Sequence, residues 1–220
     1  APIALGAALY KRANHKKGIV IANSGDGALG RGPVLESLNF SSMDQITKLW
    51  GMDGKYSNEG MPILFNVFNN FYGMGGQTMG ETMGFTSPAR LAAGFNPTEM
   101  HAEKVNGYDP LAVIDATTRK KEILLAGQGP ALLEVATYRV SGHSPSDSST
   151  YRTQEEIEAW KMADPIPAYS TAIHACPAPF QSMEPSISVP AQLSAAVVTN
   201  WMNDSVSAST RAPSVSIDRI

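Results

Sequence analysis

The stretch GIVIANSGDGALG, residues 18–30, decides the fold of this 220-residue chain. Its first part, GIVIA at residues 18–22, is a β-branched apolar run that is typical of a buried strand. The run stops at NSGDG, residues 23–27, whose small and turn-forming residues predict a tight loop. Apolar residues then recur at roughly helical spacing from Val34 to Trp50. We therefore expect the loop around Asp26 to lie at a strand-to-helix junction.

Two further apolar runs extend this pattern along the chain. Ile63 to Phe68 is strand-like and ends in the loop NNFYG, residues 69–73, and Ala131 to Tyr138 predicts a third strand. Between them, a helix is predicted from Asp109-Pro110 to about Leu125, because Pro after a short acidic residue favours a helix start. Alternating strands and helices indicate an α/β fold: a doubly wound, mostly parallel sheet with helices on both faces.

The amino-acid composition changes after residue 165. Ser, Ala and Pro dominate residues 166–220, which predicts a peripheral helix-and-loop arm or a linker, with a helix suggested at Ala195 to Met202. We therefore divide the chain into a domain of residues 1–165 and an arm of residues 166–220. The first residues read like the inside of a domain and carry no recognisable signal peptide, so we expect the N-terminal part of the fold to be missing.

Bulk composition excludes several classes of protein. The formal net charge is -3, with both signs mixed along the chain, so no basic stripe predicts a nucleic-acid partner. No apolar run is long enough to predict a membrane span. Cys176 is the only cysteine, which excludes an internal disulfide framework and a Cys-based zinc site and favours a reducing compartment.

The loop GDGA, residues 25–28, has the composition of a phosphate and metal site. Glycines on either side of one carboxylate let the backbone come close to a ligand. The amides of Gly27 and Ala28 would face an anion at the N-terminus of the following helix, where unpaired N–H groups favour phosphate. Asp26 carries the charge that a divalent cation such as Mg²⁺ requires. An ordinary Asp-Gly turn has the same composition, so this loop alone does not decide between them.

The loop after the second strand favours a metal site over an ordinary turn at Asp26. Asn70 offers an amide oxygen and Tyr72 a backbone carbonyl oxygen, both of them ligands that suit Mg²⁺. In parallel sheets, ligands bind beyond the carboxyl ends of the strands, where both loops should lie. The pattern therefore predicts a magnesium site made by Asp26, Asn70 and Tyr72.

At these loops the sequence resembles thiamine diphosphate enzymes, which are marked by GDG, a spacer and then NN. The run NNFYGMGGQT, residues 69–78, is similar to their 2-oxo acid dehydrogenase branch. The likeness covers about Pro2 to Ile166, three quarters of the chain. It includes PIALGAAL (2–9), ESLNF (36–40), VNGYDPLAVIDA (105–116), GPALLEVATYR (129–139) and SGHSPSDSSTYRTQEEIEAW (141–160).

The resemblance implies roles for particular residues. Asp26 and Asn70 match the Mg²⁺ ligands of the family, with the Tyr72 carbonyl beside them. Gly27 and Ala28 match the diphosphate contacts of the family, and Gly25 and Gly73 beside them are expected to take part in cofactor binding. His143 matches an active-site loop histidine that touches the diphosphate side and helps the acyl group pass to a lipoyl arm, and Ser144 matches the position that mitochondrial members phosphorylate.

The loop that holds His143 can also be interpreted from its residues. A histidine between Gly142 and Ser144 is expected to be exposed and free to exchange protons near neutral pH, although a solvated loop histidine would look the same. Arg139 is expected either to stabilise an anion or, in preference, to pair with Asp147. Tyr151 and Arg152 are expected to order the loop.

The resemblance implies the alpha part of a 2-oxo acid dehydrogenase with thiamine diphosphate and Mg²⁺ as cofactors. Such an enzyme decarboxylates a 2-oxo acid and transfers the acyl unit to lipoamide. Its partners would be a beta subunit or beta half, which supplies the glutamate that activates the thiamine ring, and a lipoyl-bearing acyltransferase. The compartment would be a bacterial cytoplasm or the mitochondrial matrix.

Two other functions remain open from the sequence. An acetoin dehydrogenase or a transketolase-like carboligase would use the same cofactor for another reaction, and a non-catalytic assembly or regulatory subunit would not bind it. Two positions also depart from the family pattern. The spacing from Asp26 to Asn70 is longer than usual, with residues 51–60 as a predicted surface insertion, and Ser141 stands where the family usually has a second histidine.

Overall fold

The structure is a computed structural model that describes residues 1–47 and 59–175. Contacts within the chain separate residues 1–157 from residues 158–220. The described helices are α1 (Pro2–Ala13), α2 (Gly32–Ser42), α3 (Asp44–Thr47), α4 (Leu91–Phe95), α5 (Pro110–Leu125), α6 (Gln154–Met162) and α7 (Pro165–Ala175). The described strands are β1 (Val20–Gly25), β2 (Ile63–Asn69), β3 (His101–Asn106) and β4 (Ala131–Ala136).

The four strands form one parallel sheet in the order β1-β2-β4-β3. The register pairs Gly25 of β1 with Phe68 of β2, and Asn69 of β2 with Ala136 of β4. Three strands therefore end side by side. The loops that begin at Asp26, Asn70 and Thr137 all leave the same edge of the sheet.

Helices cover both faces of this sheet, because successive residues of a strand point in opposite directions. Ile63, Phe65 and Val67 of β2 enter a core that α1 and α2 also line. Leu64 enters a second core, which is lined by α5. The predicted α/β architecture, with a parallel sheet between two helical layers, is confirmed.

The predicted strands and the helix α5 are confirmed with small shifts of their ends. β1 runs on to Gly25, three residues beyond its predicted end, and β4 stops at Ala136 instead of Tyr138. α5 begins as predicted after Asp109, whose carboxylate accepts hydrogen bonds from the N–H groups of Leu111 and Ala112, both at 3.1 Å. This cap satisfies two donors that have no partner within a helix.

The strand β3 is not predicted from the sequence. Its segment, HAEKVN, has only one buried residue, Val105. β3 lies at one edge of the sheet, where polar side chains are ordinary. Glu103 of this strand forms ion pairs with Arg119 and Lys120 of α5, which explains its place at a partly exposed edge.

The prediction of one continuous helix from Val34 to Trp50 is wrong. α2 ends at Ser42, and Met43 adopts an extended conformation with ψ 135°. Two side chains bind the carbonyls of this last turn: Ser42 donates to the Leu38 carbonyl at 3.0 Å, and Asn96 donates to the Ser42 carbonyl at 2.8 Å. Such side-chain hydrogen bonds compete with the next helical turn.

Several expectations lie outside the described residues. They concern residues 48–50 of the predicted helix, residues 51–58 of the predicted insertion, Cys176 and the predicted helix at residues 195–202. The boundary after residue 165 stays a prediction. Within residues 1–47 and 59–175, no helix combines the length and the apolar character that crossing a bilayer requires.

Candidate cofactor and metal site

The structure brings the two predicted loops into contact at the carboxyl edge of the sheet. Asp26 follows β1 and Asn70 follows β2, and the backbone N–H of Asn70 lies close enough to the Asp26 carboxylate to oppose the rise of its pKa. The hydroxyl of Thr78 donates to Oδ2 of the same carboxylate at 2.6 Å. Because β1 and β2 are neighbours in the sheet, this contact follows directly from the strand order.

The Asp26 carboxylate is buried, with a relative exposure of 1%. Burial raises its pKa, while hydrogen bonds from Thr78 and from the backbone of Asp26, Gly27 and Asn70 oppose that rise. Among the described residues, no Lys, Arg or His side chain forms an ion pair with it. A buried carboxylate without a counter-ion is costly, so a bound cation would stabilise this arrangement.

The turn after β2 presents two more oxygens. Asn70 Oδ1 accepts a hydrogen bond from the Tyr72 N–H at 3.1 Å, and the Tyr72 carbonyl accepts none from the described part of the chain. Phe71, between them, has a φ of 68°, in the left-handed region that a bulky residue rarely adopts. Its N–H donates to Asn69 Oδ1 at 3.2 Å, and its carbonyl accepts from the Thr78 N–H at 3.0 Å.

This donor set fits Mg²⁺. It combines one carboxylate, one amide oxygen and one backbone carbonyl, and Mg²⁺ usually takes one or two protein carboxylates together with phosphate oxygens and water. The described residues contain no cluster of three or more His, Cys, Asp or Glu side chains that could hold a metal. Three protein oxygens would leave the other positions of an octahedral Mg²⁺ to phosphate and water.

The glycines of the candidate site bring the two loops close together. A Cβ added to Gly27 would lie 3.5 Å from the Cα of Gly73 and 3.6 Å from Cγ2 of Thr78. Gly25 ends β1 and has no atom within 4 Å of such a Cβ. The backbones of Gly27 and Gly73 thus approach each other directly.

The expected position of Gly27 and Ala28 at the start of a helix is wrong. Both residues belong to a 3-10 turn, Asp26–Ala28, and α2 begins only at Gly32. Gly30 lies against the backbone of Thr82, since a Cβ there would meet the Thr82 carbonyl oxygen at 2.4 Å. Pro33, in the first turn of α2, favours a helix start at this point.

The loop after β4 is anchored to the turn after β2. The side chain of His143 is exposed, as its neighbours predict, and its backbone N–H donates to Asp147 Oδ2 at 2.7 Å. Arg139 donates to the Gly73 carbonyl at 3.1 Å and to the Tyr151 hydroxyl at 3.0 Å. Tyr151 in turn donates to Asp147 Oδ2 at 2.6 Å. The expected pairing of Arg139 with Asp147 is indirect: the Tyr151 phenol lies between the two groups, while the charge of Arg139 helps to lower the pKa of Asp147.

The expectation that Arg152 orders this loop is confirmed. Its side chain is buried and donates to the Arg139 carbonyl, to the Ser141 carbonyl at 3.1 Å and to Ser149 Oγ at 2.9 Å. Its guanidinium also lies 5.4 to 5.6 Å from the ring centroids of Tyr72, Tyr138 and Tyr151. At this distance a cation is attracted to an aromatic face. Arg152 thus ties the His143 loop to Tyr72.

The buried residue Glu134 was missed by sequence reasoning. It has a relative exposure of 0% and lies in the middle of β4. Its carboxylate accepts hydrogen bonds from Asn69 Nδ2 at 2.8 Å, from the Ala89 N–H at 2.9 Å and from the Ser87 hydroxyl. Since Asn69 holds the Phe71 N–H, Glu134 supports the turn after β2. A charge inside an apolar strand is the signal that could have identified it.

We expect Tyr151→Phe to raise the pKa of Asp147 towards its ordinary value. The Tyr151 hydrogen bond is the largest of the causes that lower this pKa to about 2. A carboxylate with a lowered pKa contributes stability to the folded loop. This contribution is fully present above the unfolded pKa of about 3.9 and is lost as the pH falls through the folded pKa of about 2. In the variant the contribution is smaller, and its loss is complete at a higher pH. NMR titration of the Asp147 carboxyl carbon measures this shift, with exposed Tyr10→Phe as control, and an unchanged midpoint would contradict it.

The chain matches a known family over most of its length. Residues 1–176 match the model of the dehydrogenase E1 component. The pyruvate dehydrogenase E1 component subunit alpha type I, mitochondrial, of Ascaris suum is 36% identical over 181 residues, which cover 78% of this chain and 39% of that protein. The 3-methyl-2-oxobutanoate dehydrogenase subunit alpha of Mycobacterium tuberculosis is 32% identical over 169 residues, covering 76% of this chain and 41% of the relative.

The chain thus spans about two fifths of the length of these curated relatives. An X-ray structure from Mycobacterium smegmatis, provisionally described as a thiamin diphosphate-dependent enzyme, shares 23% identity at a TM-score of 0.41. It covers 63% of this chain and 22% of its own. With the family model spanning residues 1–176, this chain belongs to the dehydrogenase E1 component family.

Proposed function

We propose that this chain is the alpha part of a thiamine diphosphate-dependent 2-oxo acid dehydrogenase, which decarboxylates a 2-oxo acid and transfers the acyl unit to lipoamide. The observation that carries this proposal is the buried Asp26 carboxylate in contact with Asn70 at the ends of neighbouring parallel strands. Relatives named as alpha subunits of pyruvate and 3-methyl-2-oxobutanoate dehydrogenases support it.

In this function the two strand-end loops hold the diphosphate end of the cofactor. Asp26, Asn70 Oδ1 and the Tyr72 carbonyl bind Mg²⁺, and the remaining cofactor contacts come from Gly25, Gly27, Ala28 and Gly73. When bound, thiamine diphosphate supplies the carbanion chemistry that breaks the bond to the carboxylate of the 2-oxo acid. The protein's share is to hold the Mg²⁺ that would neutralise the diphosphate and to keep the cofactor in one orientation.

His143 is the proposed catalytic residue of the loop after β4. Its side chain is exposed, and Arg139 links the loop to Gly73. We assign it a contact with the diphosphate side of the cofactor and a part in passing the acyl group to the lipoyl arm. Ser144 is a candidate regulatory position: it is exposed, with its hydroxyl oxygen 3.1 Å from that of Ser146. Phosphorylation there would add about two negative charges.

The proposed partners complete the site. A beta subunit or beta half supplies the glutamate that activates the thiamine ring, and a lipoyl-bearing acyltransferase receives the acyl group. The relatives named above include a mitochondrial protein and a bacterial one, and the proposed compartment is accordingly a mitochondrial matrix or a bacterial cytoplasm.

A substrate panel tests this function. The native assembly is assayed with pyruvate, 2-oxoisovalerate and acetoin in the presence of thiamine diphosphate, Mg²⁺ and an artificial electron acceptor. We expect CO₂ release from one or both 2-oxo acids and little turnover of acetoin. Preferential acetoin cleavage would point to an acetoin dehydrogenase, and no cofactor-dependent turnover at all would point to an assembly or regulatory subunit.

A further inference from the structure

Thr78 lies between the two loops that form the candidate cation site. Its side chain is completely buried, with a relative exposure of 0%. Its hydroxyl donates to Asp26 Oδ2 at 2.6 Å, and its backbone N–H donates to the Phe71 carbonyl at 3.0 Å. One residue therefore hydrogen-bonds both to the loop that follows β1 and to the turn that follows β2.

The methyl group of Thr78 makes a second connection between these loops. Cγ2 lies 3.6 Å from the position that a Cβ would take at Gly27, and 3.8 Å from the corresponding position at Gly73. It therefore fills the space beside two glycines of the candidate cofactor site. Because a β-branched side chain is stiff at χ1, the packed methyl group also fixes the direction in which the hydroxyl points.

The hydroxyl of Thr78 restrains the Asp26 carboxylate. It is the one side-chain donor to this carboxylate among the described residues, the other donors being backbone N–H groups. Mg²⁺ demands a nearly ideal octahedron with ligands at about 2.0–2.1 Å. A carboxylate that can rotate would meet that geometry only part of the time, so the hydroxyl prepares Asp26 for the cation.

The backbone of Thr78 restrains the turn after β2. Phe71 has a φ of 68°, and strained residues persist only where their surroundings hold them. The hydrogen bond from Thr78 to the Phe71 carbonyl fixes the segment between Asn70 and Tyr72. Thr78 is itself held, since its carbonyl accepts from the N–H groups of Thr82 at 2.9 Å and Met83 at 2.8 Å.

We propose that Thr78 is a positioning residue for the cation: its hydroxyl orients the Asp26 carboxylate, and its backbone N–H holds the Asn70–Tyr72 turn in register with it. This inference rests on the proposed function, because it presupposes a cation bound by both loops. Groups that orient metal ligands typically contribute 10–100-fold to metal affinity.

Two substitutions separate the parts of this role. Thr78→Val keeps the branched shape and removes the donor, whereas Thr78→Ser keeps the donor and removes the methyl group. In the complete protein with its partner half, Mg²⁺ is titrated calorimetrically at a fixed concentration of thiamine diphosphate. We expect Thr78→Val to weaken Mg²⁺ binding about 10–100-fold and Thr78→Ser to stay within a few-fold of the unsubstituted protein.

Kinetics provide a second readout. In Thr78→Val, the Mg²⁺ concentration for half-maximal activity should rise, while kcat at saturating Mg²⁺ should change little, because the hydroxyl acts on the cation through Asp26. Thr78→Ala removes the hydroxyl without placing a second methyl group beside the carboxylate. We expect the same weakening of Mg²⁺ binding for Thr78→Ala, which replaces Thr78→Val in these measurements if Thr78→Val does not fold.

A purely structural role would lower the unfolding temperature of the cofactor-free protein and leave the Mg²⁺ affinity of the folded protein unchanged, which would overturn the inference. Equal losses in Thr78→Ser and Thr78→Val would overturn the role of the hydroxyl. Asp26→Ala distinguishes a failure of this inference from a failure of the proposed function. If Asp26→Ala loses Mg²⁺ while the Thr78 variants retain it, only this inference fails; if Asp26→Ala also binds normally, the proposed function fails with it.

Discussion

Asp26→Ala is expected to weaken the Mg²⁺-dependent binding of thiamine diphosphate by at least about 100-fold, more than the loss of a group that only orients a ligand. Asp26 offers the one carboxylate of the candidate donor set, and its buried position lets it interact strongly with a cation. Without it, the protein would contribute only the uncharged oxygens of Asn70 and the Tyr72 carbonyl to the cation.

Quenching of intrinsic fluorescence by thiamine diphosphate, with and without Mg²⁺, measures this effect. Asp115→Ala is the matched control, because Asp115 is an exposed carboxylate that pairs with Arg119 on α5, away from the strand-end loops. The control should bind as the unsubstituted protein does. Binding by Asp26→Ala that remains tight and dependent on Mg²⁺ would exclude Asp26 as a ligand.

Glu134→Ala is expected to lower the free energy of unfolding by about 3–5 kcal/mol, the range for removing one partner of a buried charged interaction. The substitution would leave the Asn69 amide, the Ser87 hydroxyl and the Ala89 N–H without their acceptor inside the fold. Each buried donor left unsatisfied costs about 1–3 kcal/mol. Lys104, at 3.4 Å from Oε1, is partly exposed and can turn to solvent.

Urea unfolding of the cofactor-free protein measures this loss of stability. Glu103→Ala is the control: Glu103 lies on the neighbouring strand and also pairs with cations, but it is partly exposed, and such pairs contribute about 1 kcal/mol or less. If both variants lost the same small amount, the buried network around Glu134 would not be a major source of stability.

The site could be predicted from the sequence to the extent that it depends on strand ends. Each of the loops GDGA and NNFYG follows an apolar β-branched run, and parallel strands bring such ends to one edge of a sheet. The contact of Asp26 with Asn70 follows from that rule and from the adjacency of β1 and β2. The pattern of apolar residues was sufficient because β2 and β4 are buried on both faces.

Features that depend on contacts distant in sequence could not be predicted. Asn96 reaches the Ser42 carbonyl from 54 residues away and contributes to the end of α2, and nothing local marks that interaction. Thr78 donates to Asp26 across 52 residues, and its place after a run of glycines suggests only a turn. β3 escaped prediction because an edge strand needs few apolar side chains.

The central claim is that Asp26, Asn70 and the Tyr72 carbonyl share one cation that also binds the diphosphate. A crystal structure with thiamine diphosphate and Mn²⁺ in place of Mg²⁺ tests it most directly, because anomalous scattering locates the ion. We predict a single peak at about 2 Å from an Asp26 carboxylate oxygen, from Asn70 Oδ1 and from the Tyr72 carbonyl oxygen. An ion bound elsewhere, with Asp26 coordinating nothing, would contradict the claim.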